Sequence, residues 1–317
     1  MLERSYWIHA SLGMLTQRNY FGADFSGTAM PTQEEVRKAA RVLTGPYAAN
    51  RLYLIYHREL PIEEARRLFV WWREACPREV EIVPALVTRS YDKPATPIFT
   101  EAELKDLAEF FHDGMHAQRV AIYDIAPHRD LGAAPAVLAA KFPGGVVRLG
   151  LQPGESLEPP FAAAVEDSWS AMCHGKRNVG DWEQPGFGAA MLRQWVTARN
   201  AGSRPVAWDL IAVAWDYSAT ERGGYPGYDD AEKNMPLPEG RNRAAVKLIR
   251  ETARPGTLAG FSSDLYILQE NSRATVHDGK EHSFYECLKQ GKEYRGYYRV
   301  PLEEIAGIYR EMRAAEE

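Results

Sequence analysis

"RLYLIYHRELPIEEARRLFVWWREACPREVEIVPALV", residues 51–87, holds the repeating unit of the fold. Its first part, "RLYLIYH" (51–57), is rich in aromatic and branched residues and reads as a strand. "LPIEEARRLFVWWREACP" then opens with Pro61 and two glutamates, which suits a helix N-terminus, and stops before Pro77. "VEIVPALV" (80–87) is a second strand. Two strands joined through a helix of this length pair in parallel, because only a crossover returns the chain to the same end of the sheet.

The same alternation runs outward in both directions. Further strands are expected at "SYWIHAS" (5–11), "RVAIYDI" (119–125), "VVRLGLQ" (146–152), "AVEDSWS" (164–170), "PVAWDLIAV" (205–213) and "LAGFSSDLYIL" (258–268). Helical patterns lie between them. Thr32 with Glu35, and Thr100 with Glu103, are capping boxes that mark two helix starts. Others fit "GAAPAVLAAKF", "GFGAAMLRQWVTARNAG", "EGRNRAAVKLIRETARPG" and "PLEEIAGIYREMR", whereas "PGESLEPPFA" is too short for more than a helical turn. Eight strands with helical or near-helical crossovers in 317 residues predict an α/β protein, a (β/α)8 TIM barrel built as a single domain over 1–317. An open doubly wound sheet usually shows a glycine-rich phosphate turn after strand one, and "HASLGMLTQRNYFG" is not GxGxxG. The long connections follow strands 1, 6, 7 and 8 (residues 11–31, 170–186, 214–239 and 268–300), all on the βα side. The 268–300 segment is expected to cover the pocket or to make a subunit contact.

Composition narrows the partners. A net charge of −5 gives no electrostatic reason to expect nucleic acid or an anionic membrane. No apolar run approaches the ~20 residues of a membrane span. "MLERSYWIHASLG" has no charged start followed by an apolar stretch, so no signal peptide is visible, leaving cytoplasm and a secreted, trimmed form both open. Cys76, Cys173 and Cys287 form no CxxC pair, which gives no zinc knuckle and no iron–sulfur pattern.

Chemistry in such a barrel belongs at the C-terminal ends of the strands. Those ends offer His9, His57, Arg58, Asp124, Gln152, Asp167, Trp169, Trp208, Asp209 and Asp264, and the loops beyond add His174, Trp182, Trp215 and Tyr225. A carboxylate inside a barrel is costly unless paired, so four on strand ends point to convergence. Each has a structural reading as well. Asp124 can cap its following turn, and Asp167 or Asp209 can bridge to Arg148. Glu166, next to Asp167, must face the other way and meet helix residues.

Two carboxylates beside an aromatic-walled cleft are the working parts of glycoside hydrolysis. "VAIYDIA" resembles the fourth strand of the retaining α-glycosidase clan that includes α-galactosidases, and "VEDSW" resembles its sixth. The resemblance implies Asp124 as nucleophile and Asp167 as acid/base. Strands one and two lack that clan's Trp- and Asp-rich endings, and strand four lacks the Asn-Glu pair of the large β-glycosidase clan. Asp209 then serves as a hydroxyl ligand, as the second carboxylate of an inverting pair, or as a nucleophile on strand seven. The expected substrate is a carbohydrate, held by the remaining residues named above, with no cofactor and no resident metal. The rivals are a divalent-metal sugar isomerase or epimerase drawing on Glu155, Asp167, His174, Asp209 and Asp264, and a barrel that binds carbohydrate without catalysis.

Overall fold

The computed structural model describes residues 1–13, 30–58, 60–89, 97–123, 130–151, 155–166, 187–210, 212, 240–265, 284–295 and 299–317. Eight parallel strands close into a barrel in sequence order. They are β1 (Glu3–His9), β2 (Arg51–Tyr56), β3 (Glu81–Leu86), β4 (Val120–Tyr123), β5 (Val146–Leu151), β6 (Phe161–Glu166), β7 (Val206–Asp209) and β8 (Leu258–Asp264). The helices are α1 (Gln33–Thr44), α2 (Ile62–Ala75), α3 (Glu101–Glu109), α4 (Ala134–Lys141), α5 (Phe187–Arg199), α6 (Arg241–Thr252), α7 (Phe284–Gln290) and α8 (Arg299–Ala314). The four longest connections follow β1, β6, β7 and β8, so the expected asymmetry of the barrel holds.

Local chemistry accounts for the ends of the elements. Both capping boxes form: the Thr32 and Thr100 hydroxyls accept from the backbone N–H three residues on, and Glu35 and Glu103 reach back to the cap N–H. β6 begins at Phe161, three residues before the expected start, and its described part ends at Glu166. Its opening "FAAAV" is alanine-rich and carries little strand propensity, so pairing with β5 rather than local preference sets its start.

Strand alternation sorts the core into two clusters. The larger lies between the barrel and its helices and includes Tyr6, Leu54, Trp72, Trp208 and Phe261. The smaller fills the barrel: Trp7, Tyr53, Ile55, Val83, Ala85, Val87, Ala121, Tyr123, Val147, Leu149, Val165 and Ala207. At its centre the Trp7 and Tyr53 rings stack at 3.8 Å and 1°. Trp72 of α2 packs in the outer cluster, with its indole N–H donated to the Ala10 carbonyl at 2.8 Å.

Below this plug, at the N-terminal end, Arg51 pairs with Glu3 and, at 2.7 Å, with Glu81. The Ser5 hydroxyl donates to Glu3 at 2.7 Å, and Arg119 stands 3.6 Å from Glu81. Glu3, Arg51, Glu81 and Arg119 line a cavity of about 610 Å³ together with Ala163, Ala164, Pro205 and Ala259. The ring closes where Gly260 of β8 meets Glu3 of β1.

Candidate active site

At the C-terminal end the inward positions are polar. On β1 and just beyond β2, His9 and His57 lie with their rings nearly parallel, centroids 6.0 Å apart. Both are buried, at 0% and 4% exposure. Burial, and then the neighbouring charge of His9, hold the His57 imidazole well below its ordinary range, so it is neutral. His9 is fixed twice. Its Nδ1 shares a 2.5 Å hydrogen bond with the Ser11 hydroxyl, and its backbone N–H donates to the Tyr285 hydroxyl at 3.2 Å. Tyr285 sits on α7, which packs on α1. The described part of the 268–300 segment thus reaches back to the end of β1.

Next to β1 around the ring, β8 and its neighbour β7 bring Asp264 and Asp209 together. The Asp264 N–H donates to Asp209 Oδ1 at 3.1 Å. The Tyr123 hydroxyl, from the end of β4, donates to Asp264 Oδ2 at 2.6 Å. Asp209 is buried and Asp264 half-buried. Beneath them Trp7 donates from Nε1 to the Ser262 hydroxyl at 2.7 Å, and its ring lies 5.9 Å from that of Tyr123. The mouth therefore has an aromatic floor with two carboxylates, a phenol and an imidazole pair around it.

The structure brings His9, His57, Asp209 and Asp264 to this end and sends two expected residues elsewhere. Trp208, between inward Ala207 and Asp209, belongs to the outer cluster and packs towards the helices. Arg58 takes φ +68°, which breaks the strand alternation, and its guanidinium bonds to Glu103 and, at 3.1 Å, to the Ile98 carbonyl. Arg148 lies between inward Val147 and Leu149, donates to Glu155 at 3.2 Å and covers the Phe161 ring at 5.9 Å. Glu166 does face the helices, where Arg199 of α5 donates to it at 2.5 Å. Asp124, Gln152, Asp167, Trp169, His174, Trp182, Trp215 and Tyr225 lie outside the described residues. Tyr123, Trp7, Ser262 and Tyr285 are members that sequence reading missed. Counting inward positions two by two along β4 from Ala121 finds Tyr123; no sequence signal finds Tyr285. Among the described residues no group of three or more His, Cys, Asp or Glu is placed to hold a metal ion, and no helix is long and apolar enough to cross a membrane.

No family model matches the sequence, and no curated protein matches it. Among solved structures the chain is similar to a GH99 endo-alpha-mannosidase from Bacteriodes thetaiotaomicron, with a TM-score of 0.50 and 11% identity over 99% of this chain and 100% of that one. It is also similar to the N-acetylneuraminate lyase of Mycoplasma synoviae (TM-score 0.44, 7% identity, 98% and 97% covered). A third likeness is to the carboxyl transferase domain of Rhizobium etli pyruvate carboxylase (TM-score 0.44, 9% identity), where 99% of this chain spans 53%, about half, of that chain. The fold is a TIM barrel. At these identities the likeness concerns the fold alone.

Proposed function

We propose that this protein is a glycoside hydrolase that acts on a carbohydrate through carboxylates at the C-terminal mouth of the barrel. The observation that carries the reading is the meeting of Asp209 and Asp264 above the Trp7–Tyr53 floor. Glycoside hydrolysis requires one carboxyl group to protonate the leaving oxygen and another to attack the anomeric carbon or activate water. Asp209 takes one of these roles. Asp167 supplies the partner: Glu166 faces outward, and strand alternation favours the opposite face for the next position. The inward position at the end of β4 belongs to Tyr123, so alternation lends Asp124 no such support; it stays in the reading on the strength of the clan resemblance. Asp264, His9 and neutral His57 hold sugar hydroxyls, and Trp169, His174, Trp182, Trp215, Tyr225 and Gln152 complete the walls. The endo-alpha-mannosidase of the same fold belongs to the same reaction class.

The test is hydrolysis of a panel of nitrophenyl glycosides and oligosaccharides by the wild type and by Asp209→Asn, Asp167→Asn and Asp124→Asn. Wild-type turnover is expected to survive EDTA and to fall roughly 10²–10⁴-fold in D209N, the range for losing a general acid or base. No hydrolysis anywhere in the panel, or full activity in D209N, refutes the reading. Loss on EDTA turns it towards the metal-dependent sugar isomerase.

A further inference from the structure

We propose that Tyr123 is the positioning residue of Asp264, a phenol thrown across the barrel to fix that carboxylate's orientation and keep it ionised. In a ring of eight strands β4 and β8 are opposite one another, so the side chain spans the lumen to make its 2.6 Å bond. That length falls within the roughly 2.5–2.7 Å of a hydroxyl bonded to a charged acceptor.

The phenol has little freedom to leave. Tyr123 is 7% exposed, and its ring rests on Trp7. Trp7 is itself clamped between the parallel Tyr53 ring and the Ser262 hydroxyl. A donor held by a packed aromatic stack gives up less orientational entropy when it bonds than a mobile one does. A hydrogen bond to the charged form of a carboxyl favours that form. Among the described residues the groups facing Asp264 are Tyr123 from β4, Asp209 from β7 and the uncharged Trp7 from β1, whose carbonyl accepts the N–H of Leu265 at 2.9 Å. The next ionisable group along β1 is His9. Negative charge is thereby fixed beside Asp209, where a glycosyl transition state develops positive charge. This catalytic consequence rests on the glycosidase reading; the hold of Tyr123 on Asp264 does not.

The experiment is a carboxyl-carbon NMR titration of the full chain, with the Asp264 signal assigned by its absence in Asp264→Asn. Tyr123→Phe keeps the ring on Trp7 and removes only the hydroxyl. The Asp264 signal is expected to titrate at higher pH in Y123F than in the wild type. On the glycosidase reading the acid limb of kcat/KM moves the same way, and kcat/KM falls roughly 10–100-fold. Should Y123F fold poorly, 3-fluorotyrosine at position 123, a stronger donor, is expected to move the Asp264 titration to lower pH. An Asp264 titration that is the same with and without the hydroxyl, or unmoved by fluorination, overturns the proposal. A titration that moves in a protein that hydrolyses no glycoside supports the positioning role and removes the glycosidase reading instead.

Discussion

Arg199→Met tests the packing of α5 on the barrel through one buried ion pair. Glu166 is 0% exposed, and Arg199 donates to it from Nε at 2.5 Å while Nη1 donates to the Glu155 carbonyl. Methionine fills much of the arginine's apolar volume but withdraws the charged Nε donor from the carboxylate. Breaking a buried pair from one side costs about 3–5 kcal/mol. At about 2.1 cal/mol/K of unfolding entropy per residue, a chain of 317 residues converts that loss into a fall in Tm of roughly 5–7 °C. The pH dependence follows from the same charge. Without Arg199, burial raises the Glu166 carboxyl in the folded state above its unfolded value of about 4.3. A raised folded value gives stability that is fully present below the unfolded one and lost as pH rises. R199M is therefore hurt more at pH 8 than at pH 4.5. Glu166→Met with Arg199→Met removes both charges and is expected to recover most of the loss, since an apolar pair often matches a buried ionic one. Urea unfolding and calorimetry at the two pH values read all of this. A cost under about 1 kcal/mol at pH 8, an equal cost at both pH values, or a double variant no better than R199M refutes the reasoning.

Two further predictions use the same kind of measurement. Gly260→Ala places a Cβ 2.3 Å from the backbone N and O of Glu3 at a φ of +152°, and neither backbone atom can yield. The β1–β8 seam is expected to open, giving insoluble protein or a Tm lowered by more than 10 °C in circular dichroism (a conversion of several kcal/mol); a native-like melt refutes it. His57 titrates in the folded state below its unfolded value of about 6.5, so the stability it contributes is present above that pH and lost as pH falls. Wild type is expected to lose more urea stability between pH 7.5 and pH 5 than His57→Gln, and equal slopes contradict the assignment.

The barrel was legible because its cues are local. A capping box is written within four residues, as at Thr32–Glu35, and a crossover within forty, as at 51–87. Alternation is local too, and it placed Glu166 correctly. The misreadings arose where the deciding partner is distant. Arg58 is drawn away by Glu103 of α3, 45 residues on. Trp208 is one residue out of phase with Asp209, and the aromatic character that suggested a sugar platform belongs to the helix interface. Arg148 sits between two inward residues, Val147 and Leu149, and meets Glu155 and Phe161. Tyr123 was hidden beside a more conspicuous aspartate. Its role depends on β8 lying opposite β4, which closure of the ring decides and no window of sequence displays.

The stacked Trp7–Tyr53 plug acts as a bulkhead. Below it Glu3, Arg51, Glu81 and Arg119 neutralise one another. Above it, six residues further along β1 or roughly 20 Å of strand, stand His9 and the carboxylates. Charges that cancel one another cast little net field at that distance, so the lower compartment bears only weakly on the upper one. Substitutions in the lower one, such as filling its alanine-lined wall, become a means of hardening the molecule without retuning the acids in the upper one.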